Sequence, residues 1–128
     1  MSNSDTVNHP AHYADNMPMI QIECIDFTEK MSFCQGNAFK YIWRAGNKDD
    51  LLEDLNKALW YLSRCAAKIT PSSVCEKWRY VCDKLMRYDL IDSEYRRLNI
   101  LSLIANKDFV YAQNAVAEWI SELKKNEE

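Results

Sequence analysis

The sequence predicts an all-α fold, a small helical domain of about five helices. Three observations predict it. Apolar residues recur at i, i+3, i+4 and i+7 through most of the chain. Stretches of Pro, Gly, Asn and Asp divide the chain into a polar entry and helical segments, and capping-box patterns open two of those segments. Neither an internal repeat nor a low-complexity tract interrupts them.

Residues 1 to 6 are polar and expected to fray, and the following "VNHPAHYADNMP", with two prolines and two Asx residues, reads as a structured loop. "MIQIECIDFTEKM", from Met19 to Met31, fits two patterns. Ile20, Ile22 and Cys24 alternate as in a strand, whereas Ile22, Ile25 and Thr28 step as in a helix; Glu23, Asp26 and Glu29 on the opposite face favour the helix. In "GNAFKYIWRAGNK", Gly36 is expected to free the turn before a second helix, Asn37 to cap it, and Gly46 to take the left-handed position beyond its end.

Asp50 to Glu53 fits a capping box for a third helix running to about Ile69, with Leu51, Leu55, Ala58, Leu62 and Cys65 inward, before Thr70-Pro71 stops it. Ser73 to Glu76 offers another box, with Val74, Trp78, Val81 and Leu85 as the buried face of a fourth. Tyr95, Leu98, Leu101 and Ala105 then mark a fifth. Phe109, Ala112, Val116, Ile120 and Leu123 repeat the pattern before the charged tail "KKNEE".

Composition narrows the chemistry. At 15.0 kDa and 48% hydrophobic residues, the chain can build one cooperative core, alone or with a helical appendage. Sixteen basic against 19 acidic residues give a net charge of −3, which argues against broad attraction to nucleic acid or anionic lipid; an anionic ligand needs a local basic site. The five cysteines form no C-x-x-C pair, so neither a disulfide framework nor a thiolate zinc knuckle is indicated, and reduced thiols in a cytosolic protein are expected. No apolar run is long enough to cross a bilayer and the first residues lack signal-peptide character, so no membrane association and a cytoplasmic location are expected. Gly36 and Gly46 stand ten apart, which fits neither the P-loop nor the dinucleotide fingerprint.

Three constellations remain. Asn37, Lys40, Tyr41 and Arg44 share one helix face. A helix start supplies free N–H groups and a positive dipole end, Lys40 a point charge, and Arg44 a planar fork matched to phosphate oxygens. The competing interpretation is a solvated face whose Lys and Arg pair with Glu53 or Asp54. His9 and His12, three apart beside Tyr13, can transfer a proton or hold a phosphate; a metal site there would need Cys24 or Cys34 to complete it, and a loop whose histidines cap backbone groups explains them equally. Glu23 and Asp26, with Asp50, Glu53 and Asp54, loosely resemble the carboxylate pairs with which all-α nucleotide pyrophosphohydrolases hold magnesium, although capping already accounts for Asp50 and Glu53. Tyr13, Tyr41, Trp43, Trp60 and Tyr61 lie around these polar groups, as core or as a surface for a base to stack on.

Taken together, "NHPAHY", "GNAFKYIWRAGNK" and "LEDLNKALWYL" resemble a phage SaV-like family that includes the podophage early nucleotide kinase. The matching positions are Pro10, His12, Tyr13, Gly36, Asn37, Lys40, Tyr41, Arg44, Ala45, Gly46, Lys48, Asp54, Leu55, Lys57, Ala58 and Tyr61. Asn47 departs from the pattern where many relatives carry a second basic residue.

The resemblance implies a phage-encoded kinase of the host cytoplasm that transfers a phosphoryl group from ATP or another nucleoside triphosphate to a deoxynucleoside monophosphate, with magnesium as a candidate ion. On that basis His12, Lys40 and Arg44 are the candidate catalytic residues. His9, Tyr13, Asn37, Tyr41, Lys48, Lys57 and Tyr61 are the candidate substrate contacts, and no metal ligand is assigned. Residues 1–70 form the expected nucleotide-binding core and 71–128 a helical extension that serves oligomerisation. So short a helical chain lacks room for two deep nucleotide pockets, which predicts a homo-oligomer with sites between subunits. Two rivals stand beside the kinase: a magnesium-dependent pyrophosphohydrolase using Glu23, Asp26, Glu53 and Asp54, and a non-enzymatic sponge for host-defence nucleotide signals.

Overall fold

The computed structural model describes residues 23–47, 50–67, 76–85 and 92–127. These residues are all-α: α1 (Ile25–Thr28), α2 (Phe33–Arg44), α3 (Leu51–Ala66), α4 (Glu76–Leu85), α5 (Asp92–Ala105) and α6 (Phe109–Asn126). The principal packing partners are α2 with α3, α3 with α6, α6 with α5, and α5 with α2, so four helices close into a ring around one core. To this ring α1 adds on α2, and α4 on α5.

The helix starting in "GNAFKYIWRAGNK" begins earlier than its glycine suggests. Ser32 is the N-cap, its Oγ accepting the Gln35 N–H at 3.2 Å, and Gly36 and Asn37 lie inside the helix. Gly36 has a packing role instead: it is buried against Thr28 and Met31, and a Cβ there would stand 3.5 Å from the Thr28 Cβ and carbonyl oxygen. Asn37 directs its side-chain amide back to the Phe33 carbonyl at 2.8 Å. At the other end the expectation holds, with Gly46 at φ +84° just past the C-cap.

Helix α3 follows its capping box, the Asp50 carboxylate accepting the Glu53 N–H at 3.2 Å, and ends at Ala66. Leu55, Ala58, Leu62 and Cys65 are buried and Leu51 is partly so; Asp54 is buried beside them. Within residues 19–31 the helix covers only Ile25–Thr28, residues 19–22 lie outside the described residues, and the expected inward face is not the one buried. Cys24 and Phe27 are buried, while Ile25 is 55% exposed, because the four-residue helix turns Phe27 towards α2. Burial pushes the Cys24 thiol up to about 12, against an opposing pull from Lys40.

The same core draws on both halves of the chain. Phe27, Phe39 and Trp43 surround Trp78 of α4, with ring centroids 5.3, 5.4 and 6.5 Å from it, and the Trp78 indole N–H donates to Ser102 Oγ at 2.9 Å. Val81, Leu98, Leu101 and Ala105 are buried as the periodicity predicts; Tyr95 is exposed, and Ile100 and Ile104 join the core. On α6, Ala112, Val116 and Ile120 are buried, with Phe109 and Leu123 packed at the margin. Ser73 and Val74, expected to open α4, lie outside the described residues. Helix α5 ends in a Schellman turn: Asp108 N–H donates to the Leu103 carbonyl, Lys107 N–H to that of Ile104, and Lys107 takes φ 65°. None of the described helices is long and apolar enough to cross a membrane.

Candidate functional site

The antiparallel pairing of α2 and α3 sets Tyr41 opposite Lys57 and Tyr61. The Tyr41 and Tyr61 rings stack at 5.9 Å with planes 15° apart. Three cations surround Tyr41: Lys40 Nζ at 4.6 Å from the ring centroid, the Arg44 guanidinium at 5.3 Å and Lys57 Nζ at 5.5 Å. Tyr61 in turn meets Phe33 edge-on at 6.1 Å and Trp60 at 4.9 Å, and Arg64 lies 5.1 Å over Trp60. Lysines alternate with aromatic rings over this face.

The cations differ in what holds them. Lys40 and Lys57 are partly exposed, and Lys57 reaches Glu53 one turn back at 2.9 Å, a surface pair of small energetic weight. Arg44 is only 8% exposed and lies 3.6 Å from Asp54, itself fully buried. Asp54 also accepts the Gly46 N–H at 3.4 Å, so one carboxylate holds the last turn of α2 and the residue beyond it. For Arg44, pairing with Asp54 was the competing interpretation of the sequence, and it describes the geometry.

A second buried arginine completes this end. Arg97, 6% exposed on α5, donates to the carbonyls of Ile42 at 2.6 Å, Trp43 at 3.1 Å and Ala45 at 3.0 Å. These are carbonyls at the end of α2, so Arg97 caps that helix from across the core. Burial lowers the Arg97 pKa from its ordinary value, and Glu94 and Asp54 oppose the shift. In the sequence its one signal is that Arg97, Leu101 and Ile104 follow i, i+4, i+7, which places it in line with buried positions.

The helix start that was to supply N–H groups is elsewhere. Lys40 lies seven residues beyond the first residue of α2, roughly 10 Å along the axis, so the positive end of the dipole does not reach the lysine pair. The carboxylates also have separate tasks. Asp26 accepts the Glu23 N–H at 3.0 Å, Asp50 caps α3, Glu53 meets Lys57, and Asp54 holds Arg44. Among the described residues no group of three or more His, Cys, Asp and Glu is placed to hold a metal ion.

Of the predicted site residues, the fold brings Asn37, Lys40, Tyr41, Arg44, Lys57 and Tyr61 to one face or its edge. His9, His12, Tyr13 and Lys48 lie outside the described residues. Phe33, Asn56, Trp60 and Arg64 had not been placed at the site as a group. The i, i+4, i+8 spacing of Asn56, Trp60 and Arg64 along one helix was the available signal.

Residues 7–63 match a protein family described as a protein of unknown function (DUF3310). The match takes in α1, α2 and most of α3, under half of the chain, and stops short of Trp78 and Arg97. No curated protein and no solved structure matches the chain.

Proposed function

We propose that the face built around Tyr41 binds nucleotides and that the protein transfers a phosphoryl group from a nucleoside triphosphate to a deoxynucleoside monophosphate. The observation that carries the proposal is the ring of Lys40, Arg44 and Lys57 around Tyr41, with Tyr61 stacked beneath it. Cations beside a partly exposed aromatic pair suit a ligand with both phosphate charge and a π-face. The kinase assignment within that class comes from the resemblance to the SaV-like family.

In this reading an oxygen of the acceptor monophosphate attacks the γ-phosphorus. The bond from that phosphorus to the β–γ bridging oxygen breaks, and a deoxynucleoside diphosphate and ADP result. Charge spreads over the oxygens of the moving group, which Lys40 and Lys57 neutralise; most of the catalysis is positioning and electrostatics. Arg44 acts from below, held by Asp54, and fixes the cationic edge of Tyr41. His12 is the candidate proton carrier, with His9, Tyr13 and Lys48 as further candidate contacts. Magnesium would arrive with the triphosphate rather than in a carboxylate cage. Assembly into a homo-oligomer would supply the second nucleotide's walls.

The test is product analysis. Purified protein is incubated with ATP and each deoxynucleoside monophosphate, with and without magnesium, and the nucleotides are resolved by anion-exchange chromatography. Equal yields of deoxynucleoside diphosphate and ADP, lost in Lys40→Ala and Lys57→Ala, are expected. Monophosphate and pyrophosphate from one triphosphate would establish the hydrolase instead. Tight binding without turnover would establish the sponge.

A further inference from the structure

An open groove of about 560 Å³ runs along the outer face of α3, between Asp50 and Glu53 at one end and Trp60 at the other, with Leu52, Asn56 and Lys57 between them. Its size is within the range of small-molecule sites. Leu52, Asn56 and Trp60 are spaced at i, i+4 and i+8, so an apolar contact, an amide and an indole follow one another along it. Trp60 is 56% exposed, in contrast to Trp43, Trp78 and Trp119, which are buried. Its ring is oriented by the edge of Tyr61 at 88° and by Arg64. Lys57 belongs both to this groove and to the cation ring around Tyr41.

We infer that this groove is the base and sugar subsite of the proposed nucleotide site. The inference rests on that reading and adds its specificity determinants. Trp60 stacks on the base. Asn56, whose amide offers donors and an acceptor side by side, bonds the base edge, as such amides do to adenine. Lys57 marks where the sugar gives way to phosphate, and Glu53 is placed to accept from a sugar hydroxyl. The occupant is a nucleoside monophosphate; a sugar phosphate alone meets Lys57 and Glu53 and leaves Trp60 and Asn56 uncovered.

The experiment uses the full chain and follows tryptophan emission, backed by calorimetry. Ligands are dAMP, dGMP, dCMP and dTMP, with deoxyribose 5-phosphate as the base-free probe. Nucleotides are expected to quench the emission and the sugar phosphate to leave it unchanged. Trp60→Ala should weaken nucleotide binding about tenfold or more, Trp60→Phe should restore most of it, and Asn56→Leu should alter the ranking of the four bases. Circular dichroism confirms that each variant retains its helicity. If nucleotides bind, lose affinity in Lys40→Ala, and are indifferent to Trp60→Ala and Asn56→Leu, the groove is not the base subsite and the nucleotide site stands. If neither nucleotide nor sugar phosphate binds, both fall together.

Discussion

The two ends of α2 carry the same kinds of residue for opposite purposes. At its C-terminal end Arg44 is buried against Asp54, Gly46 adopts a left-handed conformation, and Arg97 gathers three backbone carbonyls. Towards its N-terminal end Gly36 is an ordinary helical residue and Phe33 is 75% exposed, and Lys40, one turn before Arg44, is still partly exposed. Helical spacing alone sets Lys40 and Arg44 on one face. What separates them is the start of α3, which covers the Arg44 end and leaves the rest of the face open. The buried end is an anchor, and the open one is where a ligand can compete for the cations.

The largest expected effect tests the anchor. Asp54→Ala removes the carboxylate from a buried Arg44 and from the Gly46 N–H, and should cost about 3–5 kcal/mol, read as a lower urea midpoint at unchanged slope. Replacing both partners with apolar residues, Arg44→Met with Asp54→Leu, should recover part of that loss, since the buried Arg44 charge then goes with its partner, while Arg97 and the Gly46 N–H still lose Asp54. A single Asp54→Ala that unfolds at the parental midpoint would erase the distinction between the two ends.

The glycines sharpen it with smaller effects of opposite sign. Gly46→Ala places a Cβ on a residue at φ +84° and should destabilise by about 1–2 kcal/mol. Gly36→Ala meets Thr28 at 3.5 Å, an ordinary contact, and gains helix propensity, so stabilisation of about 0.4–1 kcal/mol is expected in the same denaturation experiment. Destabilisation by Gly36→Ala would show that α1 sits too close to yield.

These pairs also explain how much could be read from the sequence. The all-α class, the capping of α3 by Asp50, the left-handed Gly46 and the stripes of α3, α5 (Tyr95 apart) and α6 were legible because each depends on residues within a few positions of one another. Gly36 was misplaced because a glycine in a helix interior looks, in one dimension, like a helix boundary; the contact that gives it a role comes from Thr28 on another helix. The start at Ser32 was missed for the same reason, its capping pattern being overshadowed by the glycine four residues on. Lys40 and Tyr41 were named from helical spacing, Tyr61 from its place among the aromatics and Lys57 from resemblance, and their gathering on one face follows from the pairing of α2 with α3. Arg97 escaped because it caps a helix more than fifty residues away in the chain. Long-range partners of a buried charge leave little trace in local pattern.

The smallest effect on stability bears most directly on function. Lys40→Ala and Lys57→Ala remove partly exposed ammonium groups, and the ion pair of Lys57 with Glu53 joins two side chains that are 41% and 57% exposed. Solvent screens such a pair, so each variant should unfold within about 0.5 kcal/mol of the parent. A phosphate carries up to about two charges on several acceptor oxygens, so its contact with a lysine outweighs the carboxylate pair although solvent and salt screen it too. Each substitution should therefore weaken binding of a nucleoside monophosphate several-fold while leaving the urea midpoint in place, and the loss should shrink as salt is raised. If midpoint and affinity fell together, the lysines would belong with Arg44 as part of the anchor. If neither moved, the face around Tyr41 would be a solvated helix surface, and the division between the two ends of α2 would have no consequence for ligands.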